Sequence, residues 1–256
     1  MILAILQARF SSKRLPGKVL KSILGKPMLL LQIERIRRSA RIDRLMVATS
    51  TAPSDDAIEK LCRDNAVDVF RGSLDDVLDR FYQAAHPLRP DHVVRLTGDC
   101  PLADPELIDQ VTDFHVKGGF DYTSNTVEPT WPDGLDIEVI RFSCLEQAWQ
   151  EAVLPSEREH VTPFLRRQPE RFRIGSIKNN IDQSALRWTV DEHLDFELVR
   201  TIYEALYPDR PSFTTADVLE LLKTRPELAS LNTRYERNEG YEKSLAGDAR
   251  LLNKGK

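Results

Sequence analysis

Two spacings of apolar residues alternate along the first half of the chain. Short continuous apolar runs predict strands that are buried on both faces of a sheet, and between them apolar positions recur at helical spacing. Asp104 followed by Pro105 is a typical helix start, a capping carboxylate before a proline at the first helical position. The predicted strands cover 2–6, 43–50, 67–70 and 92–96, and the predicted helices cover 28–36, 54–65, 74–85 and a segment that begins at 104. This alternation predicts a mostly parallel α/β sheet with helices on both faces.

The pattern changes after Gly118-Gly119. The predicted strands there cover 121–126, 135–140, 172–177 and 186–190, and the predicted helices cover 143–151, 159–167, 191–206 and 214–223. No internal repeat and no linker rich in Gly or Ser divides the chain. We therefore expect a single domain over residues 1–231 with an embellishment at about 120–185. The polar tail at 232–256 is weakly patterned, and we expect it to lie over the surface or to be partly mobile.

Composition narrows the classes of protein that fit this pattern. The 256 residues are 30% charged and 41% hydrophobic, which excludes a disordered or fibrous chain, and the net charge of −4 argues against a nucleic-acid partner. Cys62, Cys100 and Cys144 stand far apart, so we expect no disulfide framework and a cytoplasmic protein. The apolar run at the N-terminus has six residues, which predicts neither a signal peptide nor membrane insertion.

Positive charge is concentrated at the start of the chain. Residues 1–32 contain six basic residues and no acidic one, and four of the six lie in 7–18, between a predicted strand and a predicted helix. Such a loop suits phosphate groups, because the following helix adds its dipole and its free N–H groups. The alternative to phosphate binding is that these basic residues only form a solvated face of the protein.

Two aspartates follow predicted strands. Asp99 ends the strand at 92–96, and Asp191 ends the one at 186–190. In parallel sheets ligands bind beyond the carboxyl ends of strands, so these carboxylates together with substrate phosphates would suit Mg²⁺. Each aspartate could instead be only a helix cap, and Asp104 and Asp136 are rivals for the second position. The chain has no GxxxxGK[ST], GxGxxG or HExxH motif.

Several motifs together resemble a known family. The stretch 7–18, QARFSSKRLPGK, is similar to the nucleotide-binding signature of sugar cytidylyltransferases that act on 3-deoxy-manno-octulosonate and acylneuraminate. Gly25-Lys26-Pro27-Met28 and the TGDCPL stretch at 97–102 match as well. PDGLDIEV at 132–139 and REHVTP at 158–163 are similar to the branch of spore-coat polysaccharide biosynthesis protein F. A departure is His193, which stands where relatives often carry proline.

The resemblance implies a fold, a reaction and a set of site residues. The fold would be a three-layer α/β/α sandwich of the Rossmann-like nucleotide-diphospho-sugar transferase type. The reaction would move CMP from CTP to a sugar, in particular an acidic 2-keto sugar, and release pyrophosphate, for surface polysaccharide or glycan precursor synthesis. Mg²⁺ would bind Asp99 and Asp191, and the protein would be a homodimer through the 120–185 embellishment. The implied nucleotide-binding residues are Gln7, Ala8, Arg9, Ser11, Arg14, Lys18, Ser73 and Thr97, with Arg14 and Lys18 as the catalytic cations.

The acceptor site is predicted from side-chain chemistry within the embellishment. Asp136 and Glu138 stand two apart on a predicted strand and would face the same side, where they could bind sugar hydroxyls or a second metal, or simply face solvent. Arg158, His160 and Asn180 could receive the carboxylate of an acidic sugar. Three other functions stay open: a transferase for another nucleotide or a sugar phosphate, a non-catalytic nucleotide-sugar-binding module, and a glycosyltransferase.

Overall fold

A seven-stranded sheet forms the centre of the molecule. The computed structural model describes residues 1–235, 237 and 239–254. The strands are β1 (Ile2–Gln7), β2 (Ser22–Ile23), β3 (Lys26–Pro27), β4 (Arg44–Ser50), β5 (Asp68–Gly72), β6 (His92–Thr97), β7 (Tyr122–Ser124), β8 (Glu138–Arg141) and β9 (Ile174–Ser176). The sheet order is β5-β4-β1-β6-β8-β7-β9, and β2 and β3 form a separate hairpin.

Helices cover the sheet and extend to the end of the chain. Two single 3₁₀ turns lie at Lys18–Leu20 and Pro53–Asp55. The α-helices are α1 (Met28–Ile36), α2 (Asp56–Asp64), α3 (Val77–Ala85), α4 (Pro105–Gly118), α5 (Phe142–Glu151), α6 (Pro155–His160), α7 (Pro163–Arg166), α8 (His193–Leu206), α9 (Thr215–Thr224), α10 (Pro226–Ala229) and α11 (Glu239–Lys254).

Strand pairing confirms the mostly parallel sheet. β1 pairs in parallel with β4 on one side and with β6 on the other, β4 pairs in parallel with β5, and β7 with β9. Only β8 runs antiparallel within this sheet, to β6 and β7. The chain builds β4 and β5 outward from β1 and then returns to place β6 on its other side. This reversal leaves a crevice at the carboxyl ends of β1 and β6, where open α/β sheets bind ligands.

Alternate residues of β1 belong to two different cores. Ala4 and Leu6 pack with α1, α4 and α8 on one face of the sheet, while Leu3 and Ile5 pack with α3 and α5 on the other. The three-layer arrangement is therefore confirmed. All three cysteines are buried free thiols, so packing rather than cross-linking holds the layers together. No helix in the described part of the chain is long and apolar enough to cross a bilayer.

The strand predicted at 186–190 is wrong. This segment is extended but makes only an isolated bridge, between Asp133 and Arg187. Its N–H groups donate elsewhere: those of Trp188 and Thr189 to the Asp133 carbonyl, at 2.6 and 2.9 Å, and that of Val190 to the Asp99 carbonyl, at 2.7 Å. The apolar pattern arises because Trp188 and Val190 are buried in the core, not because the segment joins the sheet.

Two other segments differ from the pattern. The helix predicted at 159–167 is broken into α6 and α7, because Val161 takes a left-handed conformation (φ 71°) and Pro163 cannot continue a helix. The tail after 231, which the pattern leaves without an element, contains the 16-residue helix α11. Its buried polar residues, Ser244 and Asp248, bond to α6, so contacts distant in sequence stabilise a helix that weak patterning does not indicate.

Gly134 is required where the loop before β8 crosses the 186–190 segment. Its φ is 103°, and a Cβ atom there would lie 2.3 Å from the Thr189 nitrogen and 2.6 Å from the Trp188 carbonyl carbon. Both neighbours are backbone atoms and cannot move aside alone. The close approach fixes Asp133 and Asp136, on either side of Gly134, relative to the segment that leads to Asp191.

We expect Gly134→Ala to lower the free energy of unfolding by about 2 to 5 kcal/mol, from backbone strain plus the steric clash. The matched control is Gly25→Ala, since Gly25 has φ 78° and open space around a Cβ position. Strain alone should cost that variant about 1 to 2 kcal/mol. Urea unfolding of both variants measures the difference, and equal losses would contradict the clash.

Candidate active site

A cavity of about 1130 Å³ opens at the carboxyl ends of β1 and β6. The β1 end contributes the loop from Gln7 to Lys18, and the β6 end contributes residues 97–100. The turn before α3, the loop before β8, helices α6 and α11 and the 187–191 segment form the other walls. The predicted site residues that line the cavity are Gln7, Ala8, Arg9, Arg14, Lys18, Thr97, Asp99, Asp136, Glu138, Arg158, His160 and Asp191.

Three predicted residues lie elsewhere. The Ser11 hydroxyl is buried and has no hydrogen-bond partner among the described residues. The Ser73 hydroxyl accepts a hydrogen bond from the Asp76 N–H at 3.0 Å, and so belongs to the turn before α3. Asn180 is exposed in the loop after β9. None of the three lines the cavity.

Lys18 joins the two strand-end aspartates. Its Nζ lies 3.2 Å from Asp99 Oδ2 and 2.8 Å from Asp191 Oδ1, and it donates to the Val190 carbonyl at 2.7 Å. Burial would lower the pKa of Lys18, but the two carboxylates outweigh it and raise that pKa. Burial alone would likewise raise the pKa of Asp99, yet Lys18 and the Thr97 hydroxyl hold it below its usual value. Lys18 and Asp99 are therefore both charged at neutral pH.

Asp191 is also held by two arginines. Arg14 Nη2 lies 2.9 Å from Asp191 Oδ2, while its Nε lies 3.2 Å from Glu192 Oε1. Arg187 Nη2 lies 3.5 Å from Asp191 Oδ2, and the same guanidinium contacts Asp133 and Asp195. Sequence reasoning missed Arg187. The available signal was a single cation within the otherwise apolar stretch LRWTV.

Asp55 holds the start of the basic loop. The Phe10 N–H donates to Asp55 Oδ1 at 2.7 Å, while Oδ2 accepts from Thr49 Oγ1 at 2.9 Å and from the Ser50 N–H at 3.0 Å. Burial would raise the pKa of Asp55, but these bonds lower it and keep the carboxylate ionised. In the sequence Asp55 stands only within the helix predicted at 54–65, and nothing in the spacing links residue 55 to residue 10.

The donor set around Lys18 fits one hard cation. Asp99 and Asp191 already converge on a shared positive charge, and Mg²⁺ is typically held by one or two carboxylates plus substrate phosphates. No group of three or more His, Cys, Asp or Glu side chains within the described ranges is arranged to hold a metal by itself. Asp104, a rival in sequence, is buried and caps α4 by accepting from the Glu106 and Leu107 N–H groups at 2.9 and 3.2 Å.

Asp136 and Glu138 both line the cavity, in agreement with the prediction that they face the same side, but only Glu138 lies within a strand. Asp136 precedes β8, and Arg237 Nη2 lies 2.7 Å from its Oδ1, although burial raises the pKa of Asp136 to about 7. Glu138 forms an ion pair with Arg95 and accepts from Tyr122 Oη at 2.6 Å and Thr162 Oγ1 at 2.7 Å. Burial would raise the pKa of Glu138, but these partners lower it. Glu138 therefore holds the cavity wall together.

Helix α6 presents Arg158 and His160 with partners already in place. The Arg158 guanidinium binds the Asp76 carboxylate, its Nε lying 3.0 Å from both oxygens. His160 Nε2 lies 2.9 Å from Ser244 Oγ of α11. Burial, with Arg95 nearby, lowers the pKa of His160, so its imidazole is neutral at pH 7.

Three cations at the cavity have neither an ion pair nor a side-chain hydrogen bond within the described part of the chain. Arg9 and Lys13 lie in the basic loop, and Arg166 ends α7. Sequence reasoning missed Arg166, although it stands three residues after the REHVTP motif. These side chains are the ones available to bind anionic groups of a ligand.

The chain is similar in sequence and in structure to known proteins. A family model described as cytidylyltransferase matches residues 3–240. The spore coat polysaccharide biosynthesis protein SpsF of Bacillus subtilis (strain 168) is 34% identical over 241 residues, which are 90% of this chain and 97% of that protein. A solved cytidylyltransferase from Leptospira borgpetersenii serovar Hardjo-bovis is 32% identical, with a TM-score of 0.86 over 92% of this chain and 99% of the other.

A more distant structure shares the fold. It is that of CMP:2-keto-3-deoxy-manno-octonic acid synthetase complexed with CTP, which is 19% identical to this chain. Its TM-score is 0.61, with 80% of this chain and 98% of the other covered. At that identity the likeness establishes the α/β architecture alone.

We predict that Glu138→Gln lowers the free energy of unfolding by about 2 to 4 kcal/mol at pH 7, because it leaves Arg95, whose side chain is 14% exposed, without its counter-charge. The pKa of Glu138 is lowered by folding, so its contribution is present above the unfolded pKa and lost as pH falls through the folded one. The difference in the free energy of unfolding between variant and wild type should therefore become smaller below about pH 4.5.

The control for this variant is Glu128→Gln, which removes an exposed ion pair with Lys178. Exposed pairs contribute about 0 to 1 kcal/mol, so that loss should be small at every pH. Urea denaturation across pH 3.5 to 7 measures both. A Glu138→Gln loss no larger than the control would contradict a structural role for Glu138.

Proposed function

The chain belongs to the cytidylyltransferase family, and on this premise we propose that it transfers CMP from CTP to a hydroxyl group of an acidic 2-keto sugar. Its membership and its mostly parallel α/β fold confirm the resemblance seen in the motifs. The observation that carries the proposal is the contact of Lys18 with both Asp99 and Asp191 inside the main cavity. Arg9 and Lys13, which form no ion pair with any described residue, line the same cavity.

The proposed reaction is an in-line displacement at the α-phosphorus. A sugar hydroxyl loses its proton as its oxygen bonds to phosphorus, and pyrophosphate leaves from the opposite side. Negative charge grows on the phosphate oxygens, so positioning and neutralisation matter more than a nucleophilic side chain. Lys18 and Arg14 are the fixed cations for this role. Mg²⁺ held by Asp99 and Asp191 would supply further neutralisation of the triphosphate.

CTP is the proposed nucleotide, and Gln7, Ala8, Arg9 and Thr97 are the residues proposed around it. Two observations support this choice: the family to which the chain belongs, and a structural neighbour that was solved in complex with CTP. Preference for another nucleotide is the competing function, and a thermal-shift comparison of CTP, UTP, GTP and ATP separates the two. A ligand at 100 times its Kd stabilises a protein by about 2.7 kcal/mol.

An acidic 2-keto sugar is the proposed acceptor. Arg166 supports it, because this cavity cation is paired with no carboxylate among the described residues and can receive one from a ligand. The neighbour complexed with CTP acts on a 2-keto sugar acid, and SpsF is a polysaccharide biosynthesis protein by name. We therefore place the product in surface polysaccharide or glycan precursor synthesis. A homodimer through residues 120–185 stays a prediction.

We expect the protein to release pyrophosphate when incubated with CTP, Mg²⁺ and a panel of sugar acids that includes 3-deoxy-manno-octulosonate and N-acetylneuraminate. Lys18→Met should lower kcat/KM by about 10²- to 10³-fold, as does removal of other preorganised transition-state donors. The control is Lys21→Met, since Lys21 lies over the Phe196 ring, outside the cavity lining. Nucleotide binding without turnover would instead indicate a non-catalytic binding module.

Arg166→Gln should raise KM for the sugar acid by about 10- to 100-fold while KM for CTP changes little, because a charge-assisted hydrogen bond is lost. Steady-state kinetics with each substrate varied separately measures the two constants. Arg171→Gln is the matched control, since Arg171 is exposed and paired with Glu151. An unchanged acceptor KM in Arg166→Gln would rule out this residue as the carboxylate-binding group.

A further inference from the structure

Helix α11 lines the active-site cavity although it lies almost wholly beyond the family match, which ends at residue 240. Tyr241, Ser244 and Gly247 face the cavity that also contains Lys18 and Asp99. The spacing of three residues between them places all three on one side of the helix. The chain's C-terminal helix is therefore a wall of the cavity.

A buried carboxylate fastens α11 to α6. Asp248 Oδ1 accepts from the Ser156 N–H at 2.9 Å, and Asp248 Oδ2 accepts from Ser156 Oγ at 2.6 Å. Both residues are buried, and the Arg167 guanidinium lies 3.4 Å from the same Asp248 oxygen. Because Ser156 is the second residue of α6, this clamp sets the position of one helix against the other.

Ser244 orients the His160 imidazole. Ser244 Oγ donates to Glu159 Oε2 at 2.6 Å. The Ser244 oxygen is then the acceptor for His160 Nε2, 2.9 Å away, so the ring carries its proton on Nε2 and keeps Nδ1 as an acceptor. The Tyr241 ring packs edge-on against the same imidazole, with centroids 5.2 Å apart.

The backbone after His160 is strained. Val161 has φ 71° and ψ −52°, a conformation that β-branched residues rarely adopt, and the Thr162 N–H donates to the His160 carbonyl at 2.8 Å. Such strain persists only where the surroundings impose it, and it is often found at binding sites. Here the turn places His160 and Thr162 on the cavity lining together.

The chemistry of this wall suits sugar hydroxyl groups better than phosphates. It offers hydroxyls, a neutral imidazole and the Glu159 carboxylate, and that carboxylate would repel an anion. Arg158, the arginine of α6, is engaged by Asp76, whereas Arg166 of α7 is the cation proposed above for the carboxylate of the acceptor. The unpaired cations Arg9 and Lys13 belong to the basic loop instead.

We propose that α11 forms part of the acceptor subsite and binds the polyhydroxyl portion of the sugar, through Ser244 and through the His160 side chain that Ser244 orients. The inference rests on the proposed sugar acceptor. It makes a segment beyond the family match a determinant of which sugar is used.

The test is steady-state kinetics of the full-length Ser244→Ala variant with CTP and either 3-deoxy-manno-octulosonate or N-acetylneuraminate. We expect KM for the sugar to rise about 3- to 10-fold, the effect of one or two lost neutral hydrogen bonds, with KM for CTP within about twofold. Glu242→Gln, an exposed position on the same helix, is the control and should leave all constants unchanged.

A second variant, Gly247→Leu, tests whether α11 limits the space for the acceptor, because it adds a large side chain to the cavity wall. A Cβ at this position would have ordinary clearance, 3.7 Å from Pro155 Cβ, and leucine favours a helix more than glycine does. Because Gly247 and Pro155 both line the cavity, the added side chain should take up acceptor volume. The larger N-acetylneuraminate should then lose more kcat/KM than 3-deoxy-manno-octulosonate.

The possible results separate the proposed function from the role of α11. If the wild-type protein releases no pyrophosphate with either sugar, the proposed function is overturned and this inference with it. If the wild type is active but Ser244→Ala and Gly247→Leu keep the wild-type KM and kcat/KM for the sugar, only the role of α11 is overturned. A rise in KM for CTP alone would also overturn it, since α11 would then serve the nucleotide.

Discussion

The contact of one ammonium group with two carboxylates organises the whole site. Lys18 comes from the loop after β1, Asp99 from the end of β6, and Asp191 from the turn before α8. Lys18 is almost fully buried, and the two carboxylates together outweigh the effect of burial on its charge. Three segments from distant parts of the chain are thereby fixed at one edge of the sheet. That edge is where the parallel strands β1 and β6 end side by side.

Further contacts fix the walls of the cavity around these three residues. Arg187 links Asp191 to Asp133 and Asp195, and Gly134 lets the loop carrying Asp133 approach the 187–191 segment backbone to backbone. On the opposite wall, Glu138 neutralises Arg95, and Asp248 ties α11 to α6. The result is a cavity whose charges are mostly paired, so the few unpaired cations stand out as positions for a ligand's anionic groups.

The parts of this arrangement that could be predicted are those encoded by local patterns. The loop after β1 is recognisable in the sequence because its basic residues have no acidic residue nearby. Asp99 is recognisable because it follows an apolar strand. Arg187 and α11 could not be predicted in the same way, because their partners lie far away in sequence. Asp248 bonds to Ser156, 92 residues earlier, and the apolar 186–190 segment packs like a strand without pairing as one. The sequence alone leaves Glu138 open between a ligand-binding and a solvent-facing acid, because its partners Arg95 and Thr162 are equally distant.

The structure of the protein in complex with CTP and Mg²⁺ tests the central claim most directly. We expect the metal between the carboxylates of Asp99 and Asp191, bonded to phosphate oxygens, with Lys18 and Arg14 in hydrogen-bond contact with the triphosphate. A triphosphate bound away from the β1 loop, with Asp99 and Asp191 contacting only Lys18 and the neighbouring arginines, would contradict this account.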